Sequence, residues 1–246
     1  MATQTAQYDH IGSQYDAYAR TATGKRAECY TFFRMVGALD RQRVLDLACG
    51  DGFSTRLLKP RGAAQVIGVD SSPTMIRLAH DHAQKEPLGI AYQVGDAVTL
   101  PRLGPFDLGT AVYLLPYATS KDQLLGMFRR VYATLVAGGR FIASTDTPAF
   151  PLSTPHWTQY GVTIRRLEPE ADRYACEAEF VTDPPFRVRW YQWHQAPSEW
   201  ALQEAGFQDF AWYPSEVAPE DVARYGETYG RAFYDHCPIL GLVCQK

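Results

Sequence analysis

The 246-residue chain has no run approaching the ~20 apolar residues of a membrane span, and its first 20 residues are polar and tyrosine-rich, without the apolar core of an export signal. Both absences lead to the expectation of a soluble, cytoplasmic protein with no membrane partner. No block of Lys or Arg stands out, and 24 basic against 27 acidic residues leave a net charge of −3, which argues against nucleic acid held through phosphate contacts. A small, largely uncharged molecule is the better partner. The cysteines Cys29, Cys49, Cys176, Cys237 and Cys244 are odd in number and include no C-x-x-C pair, so neither a disulfide framework nor a zinc site is expected. No other spacing of ligand-type residues reads as a metal site. No linker divides the chain, and at 46% hydrophobic it can bury one sizeable core. A single domain over 1–246 is expected, as monomer or homodimer.

What is present begins with Val44-Leu45-Asp46-Leu47-Ala48-Cys49-Gly50-Asp51-Gly52, an apolar run ending in an acid and a glycine turn that leads straight into a helix-like segment. Gly50 and Gly52 let the backbone turn tightly and approach a ligand, while the next helix offers unpaired N–H groups. It reads as a nucleotide-cofactor cradle, against a tight turn that binds nothing. Asp70 closes the next apolar run, Gln65 to Val69, 18 positions after Gly52, near the ~20-residue offset at which such folds grip a ribose. A dinucleotide site requires G-x-G-x-x-G. Ala48 replaces the first of those glycines and Thr55 the last, which weakens the oxidoreductase reading.

The pattern of strand followed by acid continues along the chain. Ser71-Ser72-Pro73-Thr74-Met75 reads as a helix start, and Met75 is equally a core residue or a platform for a ligand. Ile90 to Val94 forms a third strand before Asp96 and Ala97, where Asp96 either caps a turn or meets the ligand. Phe106 to Tyr113 is a fourth strand, containing Ala111, and Arg140 to Thr145 a fifth. Such βα alternation demands a parallel sheet with right-handed crossovers. The helix Lys121 to Val136 carries Leu124, Leu125, Phe128, Val131, Tyr132 and Leu135 as a stripe for that sheet.

Beyond Asp146 the alternation stops. Residues 146–195 read as an insertion over the crevice, where substrate selection belongs, with Arg173–Val181 and Phe186–His194 as an antiparallel hairpin. A helix over Ser198–Ala205 and strands over Phe207–Tyr213 and Ile239–Gln245 complete the sheet. All five tryptophans follow residue 150: Trp200 and Trp212 read as packing of the main fold, whereas Trp157, Trp190 and Trp193 are candidates for a pocket wall. At the other end Tyr8, Ile11, Tyr15 and Tyr18 recur at helical spacing. That face, within a helical segment over 1–40, either closes the site or joins two subunits.

The motif of an acid, two residues, a small residue and Gly-x-Gly resembles the first motif of the class I S-adenosylmethionine (SAM)-dependent methyltransferases. Thr5 to Gly12, Ala178 to Pro185 and Gly241 to Cys244 resemble more narrowly the toxoflavin-pathway N-methyltransferases, which methylate an azapteridine. The resemblance implies an α/β Rossmann-like sheet, mostly parallel with its last strand antiparallel, an N-terminal helical lid and a β-hairpin cap. It implies a SAM site built from Tyr8, Tyr15, Asp46, Ala48, Cys49, Gly50, Asp70, Ser71, Met75, Asp96, Ala97 and Ala111, with Asp70 on the ribose and Asp96 and Ala97 on the adenine. S-adenosylhomocysteine (SAH) would be the product, and no metal is called for. Within the turn, Cys49 is read as a small packing residue before a reactive thiol.

The expected reaction is in-line methyl transfer to a small heteroaromatic molecule, with N-methylation favoured over O- or C-methylation. Alignment supplies most of the rate, and a base is needed only if the acceptor carries a proton. Tyr113, Tyr117, His156 and His194 are candidate bases or orienters, with Tyr113 and His156 preferred, and Trp157, Trp190 and Trp193 would form an aromatic wall suited to a flat ring and to a sulfonium methyl. An oxidoreductase and a non-catalytic cofactor-binding scaffold are the rivals.

Overall fold

Val44, Leu45 and Leu47 are all but fully buried, and a strand without a solvent face belongs in the middle of a parallel sheet. β1 (Arg43–Leu47) takes that position, parallel to β2 (Gln65–Asp70) on one side and to β4 (Phe106–Val112) on the other. β3 (Ala91–Val94) lies outside β2, and β5 (Leu135–Asp146) outside β4, both parallel. β10 (Ile239–Gln245) pairs antiparallel with β5, and β9 (Asp209–Pro214) antiparallel with β10. The order β3-β2-β1-β4-β5-β10-β9 reverses direction between β1 and β4, and the crevice for a ligand forms beyond the strand ends at such a switch point. The computed structural model describes residues 7–101, 103–148, 155–235 and 239–246, apart from the side chains of 20, 21, 23, 155, 156, 159, 232 and 233. Cys237 lies outside the described residues.

The crossovers are α3 (Phe53–Leu58), α4 (Pro73–Lys85) and α5 (Lys121–Thr134). Ser72 caps α4 by accepting the Met75 N–H at 3.2 Å, and Ser120 caps α5 through the Gln123 N–H at 3.1 Å. The expected stripe of α5 is buried at Leu124, Leu125, Phe128 and Val131. The helix ends at Thr134, two residues early, because β5 begins at Leu135, ahead of the glycine pair. α6 (Gln195–Ala205), α7 (Pro219–Tyr225) and α8 (Glu227–Asp235) follow the insertion. No helix among the described residues is long and apolar enough to cross a membrane.

The expected hairpin is present as β7 (Arg173–Phe180) and β8 (Phe186–Trp193), but it belongs to a three-stranded antiparallel sheet completed by β6 (Val162–Pro169). The register of β6 shifts between Ile164 and Arg166, and a bulge there breaks the period-two pattern by which a strand is recognised. Two further helices, α1 (Gln7–Thr21) and α2 (Thr23–Val36), precede the main sheet. Tyr18 is buried, and Tyr8, Ile11 and Tyr15 pack with it against Phe186, Val188 and Trp190 of the cap sheet. The tyrosine face of α1 thus covers the inner face of the cap.

Polar ties hold α1 at both ends of its span. Asp9 accepts the Ser72 hydroxyl at 2.5 Å and the Thr74 N–H at 3.4 Å, both at the start of α4. Further along, His82 Nε2 lies 3.0 Å from Asp16. Gln7 pairs with both backbone groups of Arg189 in β8, at 3.0 Å each. α1 is therefore a brace between α4 and the three-stranded sheet.

Candidate active site

Beyond the ends of β1 and β2 a cavity is lined by Ala48, Gly50, Asp70, Ser71, Met75, Asp96 and Ala97, with Tyr8 and Tyr15 closing it from α1. Gly50 sits at φ +57°, and a Cβ there would stand 3.3 Å from Met75 Cε, so the turn leaves room that a side chain would fill. Asp70 shapes this turn: Oδ2 accepts the Gly50 N–H at 2.9 Å and Oδ1 the Ser72 N–H at 2.8 Å. Burial pushes the Asp70 carboxyl above the usual range, against the pull of those two donors. Asp96 takes the capping role weighed for it. Its Oδ1 caps the next turn by accepting from the N–H groups of Val98 and Thr99 at 2.8 and 3.0 Å, while the residue also lines the cavity. The absent glycine at 48 leaves its mark, since Ala48 is held at φ +55°, a conformation costing an L-residue ~1–2 kcal/mol.

Asp46, Cys49 and Ala111, expected at this site, lie behind it. Asp46 is buried and accepts the hydroxyls of Thr55 at 2.6 Å and Thr110 at 2.7 Å, tying α3 and β4 to β1; burial pushes its carboxyl up to about 6. Thr55, where a dinucleotide fold has glycine, is thus a hydrogen-bond donor. Cys49 packs beside Ile76, Ala79 and Tyr92, and burial pushes its thiol well up, away from the reactive thiolate. Ala111 is part of the main core. Gln123 and Met127 of α5 line the cavity in addition; nothing in the stripe of α5 distinguishes them, because the same helix face packs on the sheet.

A second cavity of about 130 Å³ lies between α1, α2, the end of β5 and the cap, comparable to one that takes a benzene ring. Its walls include Tyr18, Trp157, Tyr160, Phe180 and Trp190, and its polar groups are Lys25, Glu28 and Asp146. Tyr8, Tyr15, Tyr113 and Tyr117 line both cavities. They form the wall between them, with the Tyr8 and Tyr117 hydroxyls 2.5 Å apart. Burial raises the pKa of all four phenols, so they are neutral donors and Tyr113 and Tyr117 fit the orienting role rather than that of a base. Tyr113 is held at φ +58°, a strained backbone of the kind found at functional sites.

Trp193 and His194 are not brought to this cavity. Trp193 packs in the main core, with its indole N–H donating to the Ala118 carbonyl at 3.2 Å. His194 precedes α6 with its ring 5.0 Å from that of Tyr174. His156 falls in a short turn over Pro155–Tyr160, and its side chain lies outside the described residues. Trp212 packs against the core as expected, whereas Trp200 is at the surface beneath Lys121, whose Nζ lies 4.7 Å from the ring centre.

Three polar residues of the second cavity were not among the expected site residues. The Lys25 ammonium lies 2.8 Å from Glu28, and 5.4 Å from the Tyr113 ring centre. Asp146 is buried at the end of β5, which pushes its carboxyl up to about 7, offset in part by the Trp190 indole. Its position carried a readable signal: Asp146 ends its strand as Asp70 does, and Asp96 follows one. Lys25 and Glu28 carried none, because α2 shows no pattern that sets them apart.

Residues 44–139 match the family model of a methyltransferase domain. The matched segment runs from β1 into β5 and so contains the Gly turn, Asp70 and Asp96, while α1, α2 and the cap lie outside it. The chain is 33% identical over 108 residues to a ubiquinone biosynthesis O-methyltransferase of Coxiella burnetii, with 44% of each protein covered. It is also 33% identical over 130 residues to a demethylmenaquinone methyltransferase of Thermus thermophilus, covering 52% of this chain and 57% of that one. The chain thus spans about half the length of the curated relatives it matches. A SAM-dependent methyltransferase of Mesorhizobium loti has the same fold, with a TM-score of 0.64 at 22% identity over 89% of this chain and 98% of that one.

Proposed function

We propose that the chain is a SAM-dependent methyltransferase acting on a small, flat heteroaromatic molecule, with nitrogen as the favoured acceptor atom. The observation that carries this reading is the pair of cavities divided by Tyr8, Tyr15, Tyr113 and Tyr117. One holds the acids and the glycine turn, and the other has aromatic walls. When bound, SAM supplies a methyl group already activated on a sulfonium. Asp70 would accept the ribose hydroxyls, Met75 would lie under the adenine, and Asp96 with the Ala97 N–H would meet its edge. Gly50 leaves the backbone bare where the cofactor chain would pass. Tyr113 and Tyr117 would orient the acceptor, and α1 over both cavities would exclude water. Holding two reactants in line at ~3 Å is worth several kcal/mol of the barrier. The N-terminal helices would serve as the lid of one domain, and the segment 146–195 as its substrate cap. A second reading, O-methylation, is favoured by the name of the Coxiella burnetii relative.

Calorimetry with SAM, SAH and NAD tests the cofactor. Micromolar SAH binding with none for NAD is expected, and the reverse would end the methyltransferase reading. Methyl release with heteroaromatic acceptors then separates an enzyme from a scaffold that only binds.

A further inference from the structure

Two carboxyl groups line the acceptor cavity, and they differ in their partners. Glu28 is held by the Lys25 ammonium at 2.8 Å, which keeps its charge occupied. Asp146 has no ion pair among the described residues, and its Oδ2 is buried without a hydrogen-bond partner. The indole nitrogen of Trp157, in the same wall, is also buried and unpartnered, whereas the Trp190 indole acts on the Asp146 carboxyl itself. Buried polar atoms are almost always satisfied, and leaving one bare costs ~1–3 kcal/mol. An acceptor and a donor left bare around one cavity describe, in reverse, the polar edge of what fills it: a donor facing Asp146, and an acceptor atom facing the Trp157 indole.

We propose that Asp146 is a catalytic residue that takes a proton from the molecule being methylated, so that this molecule carries an N–H or O–H at the reacting atom. The inference rests on the methyl-transfer reading. In the step, the acceptor's N–H or O–H bond breaks and its proton passes to Asp146. The electron pair left on that atom forms the bond to the methyl carbon, and the carbon–sulfur pair returns to sulfur; the proton later leaves to water. A carboxyl pushed up to about 7 by burial is matched to this task, because a base works best when its pKa lies near the working pH. The groups around it are Glu28 of α2, Tyr113 and Tyr117 beyond β4, Cys176 of β7 and Trp190 of β8. Burial pushes the tyrosines and Cys176 up, away from neutrality.

The test uses the full chain and two probes, pyridin-2-one, whose N–H and C=O are adjacent, and its N-methyl derivative. With SAH bound, pyridin-2-one is expected to bind more tightly than the N-methyl compound by calorimetry. Asp146→Asn should weaken the N–H probe about tenfold and leave the N-methyl probe within threefold. In turnover with SAM the variant should lose about 10²–10⁴-fold in kcat, and the wild-type rise in rate with pH near 7 should vanish. Asp146→Glu should recover part of kcat. SAH affinity unchanged in Asp146→Asn reports that the fold and the cofactor reading are intact. Equal binding of the two probes, absence of binding by both, or undiminished turnover in the variant would each overturn the proposal. Failure of the wild-type chain to bind SAM or SAH would instead overturn the reading on which it rests.

Discussion

Asp70 illustrates how one side chain can shape a turn and border a cavity at once. Its two oxygens accept the Gly50 and Ser72 N–H groups, and the residue faces the cofactor cavity as well. Asp70→Ala removes charge-assisted hydrogen bonds worth ~1.5–3 kcal/mol, so SAH affinity by calorimetry is expected to fall by that amount. Unchanged affinity would place the cofactor elsewhere. Asp70 and Asp96 were legible as residues at the mouth of the crevice because each ends or follows an apolar run of the sequence, whereas Met75, inside α4, read equally as core and as platform. Asp46, on the same pattern, points the other way and ties Thr55 and Thr110 together. A strand alternates its faces, and spacing alone does not say which face of the last turn a side chain takes.

Among the elements, α1 is the one whose role depends most on a few ties. Its apolar face packs on the cap, but its position over α4 depends on Asp9 and Asp16. Asp9→Ala should cost one or two exposed to half-buried hydrogen bonds, ~0.5–1.5 kcal/mol each. We expect faster amide exchange over residues 7–21 and SAH dissociation accelerated about two- to tenfold in stopped-flow measurements, with little change in global melting. Unaltered exchange and dissociation would show that the ties do not set the closure. The βα alternation from β1 to β5 was legible because buried parallel strands and amphipathic crossovers have distinct periods. β6 was not, since its bulge and its adjacent Arg165 and Arg166 interrupt alternation. The aromatic wall was half legible: Trp157 and Trp190 reach the cavity, while Trp193 on the same strand as Trp190 is held in the core by Ala118.

For the whole molecule, the buried acids set a pH dependence of stability. Burial raises Asp46 to about 6 and Asp146 to about 7, against ~3.9 in an unfolded chain. Between pH ~4 and ~7 the folded chain therefore holds more protons than the unfolded one, and stability falls as pH rises through that window. Without cofactor, the melting temperature by scanning calorimetry should be higher at pH 5 than at pH 8. Asp146→Asn, which has no carboxyl to ionise, should reduce that difference chiefly by raising the value at pH 8. A wild-type melting temperature independent of pH would contradict the burial of these groups as charged-state penalties.

The shared tyrosine wall has a kinetic corollary. Tyr8 and Tyr15 belong to one helix and border both cavities, so a displacement of α1 that frees the donor side also frees the acceptor side. Turnover would then pass through a single open state in each cycle. Residence of SAH and of the methylated product would be limited by the same event, and a change in α1 would shift both off-rates together.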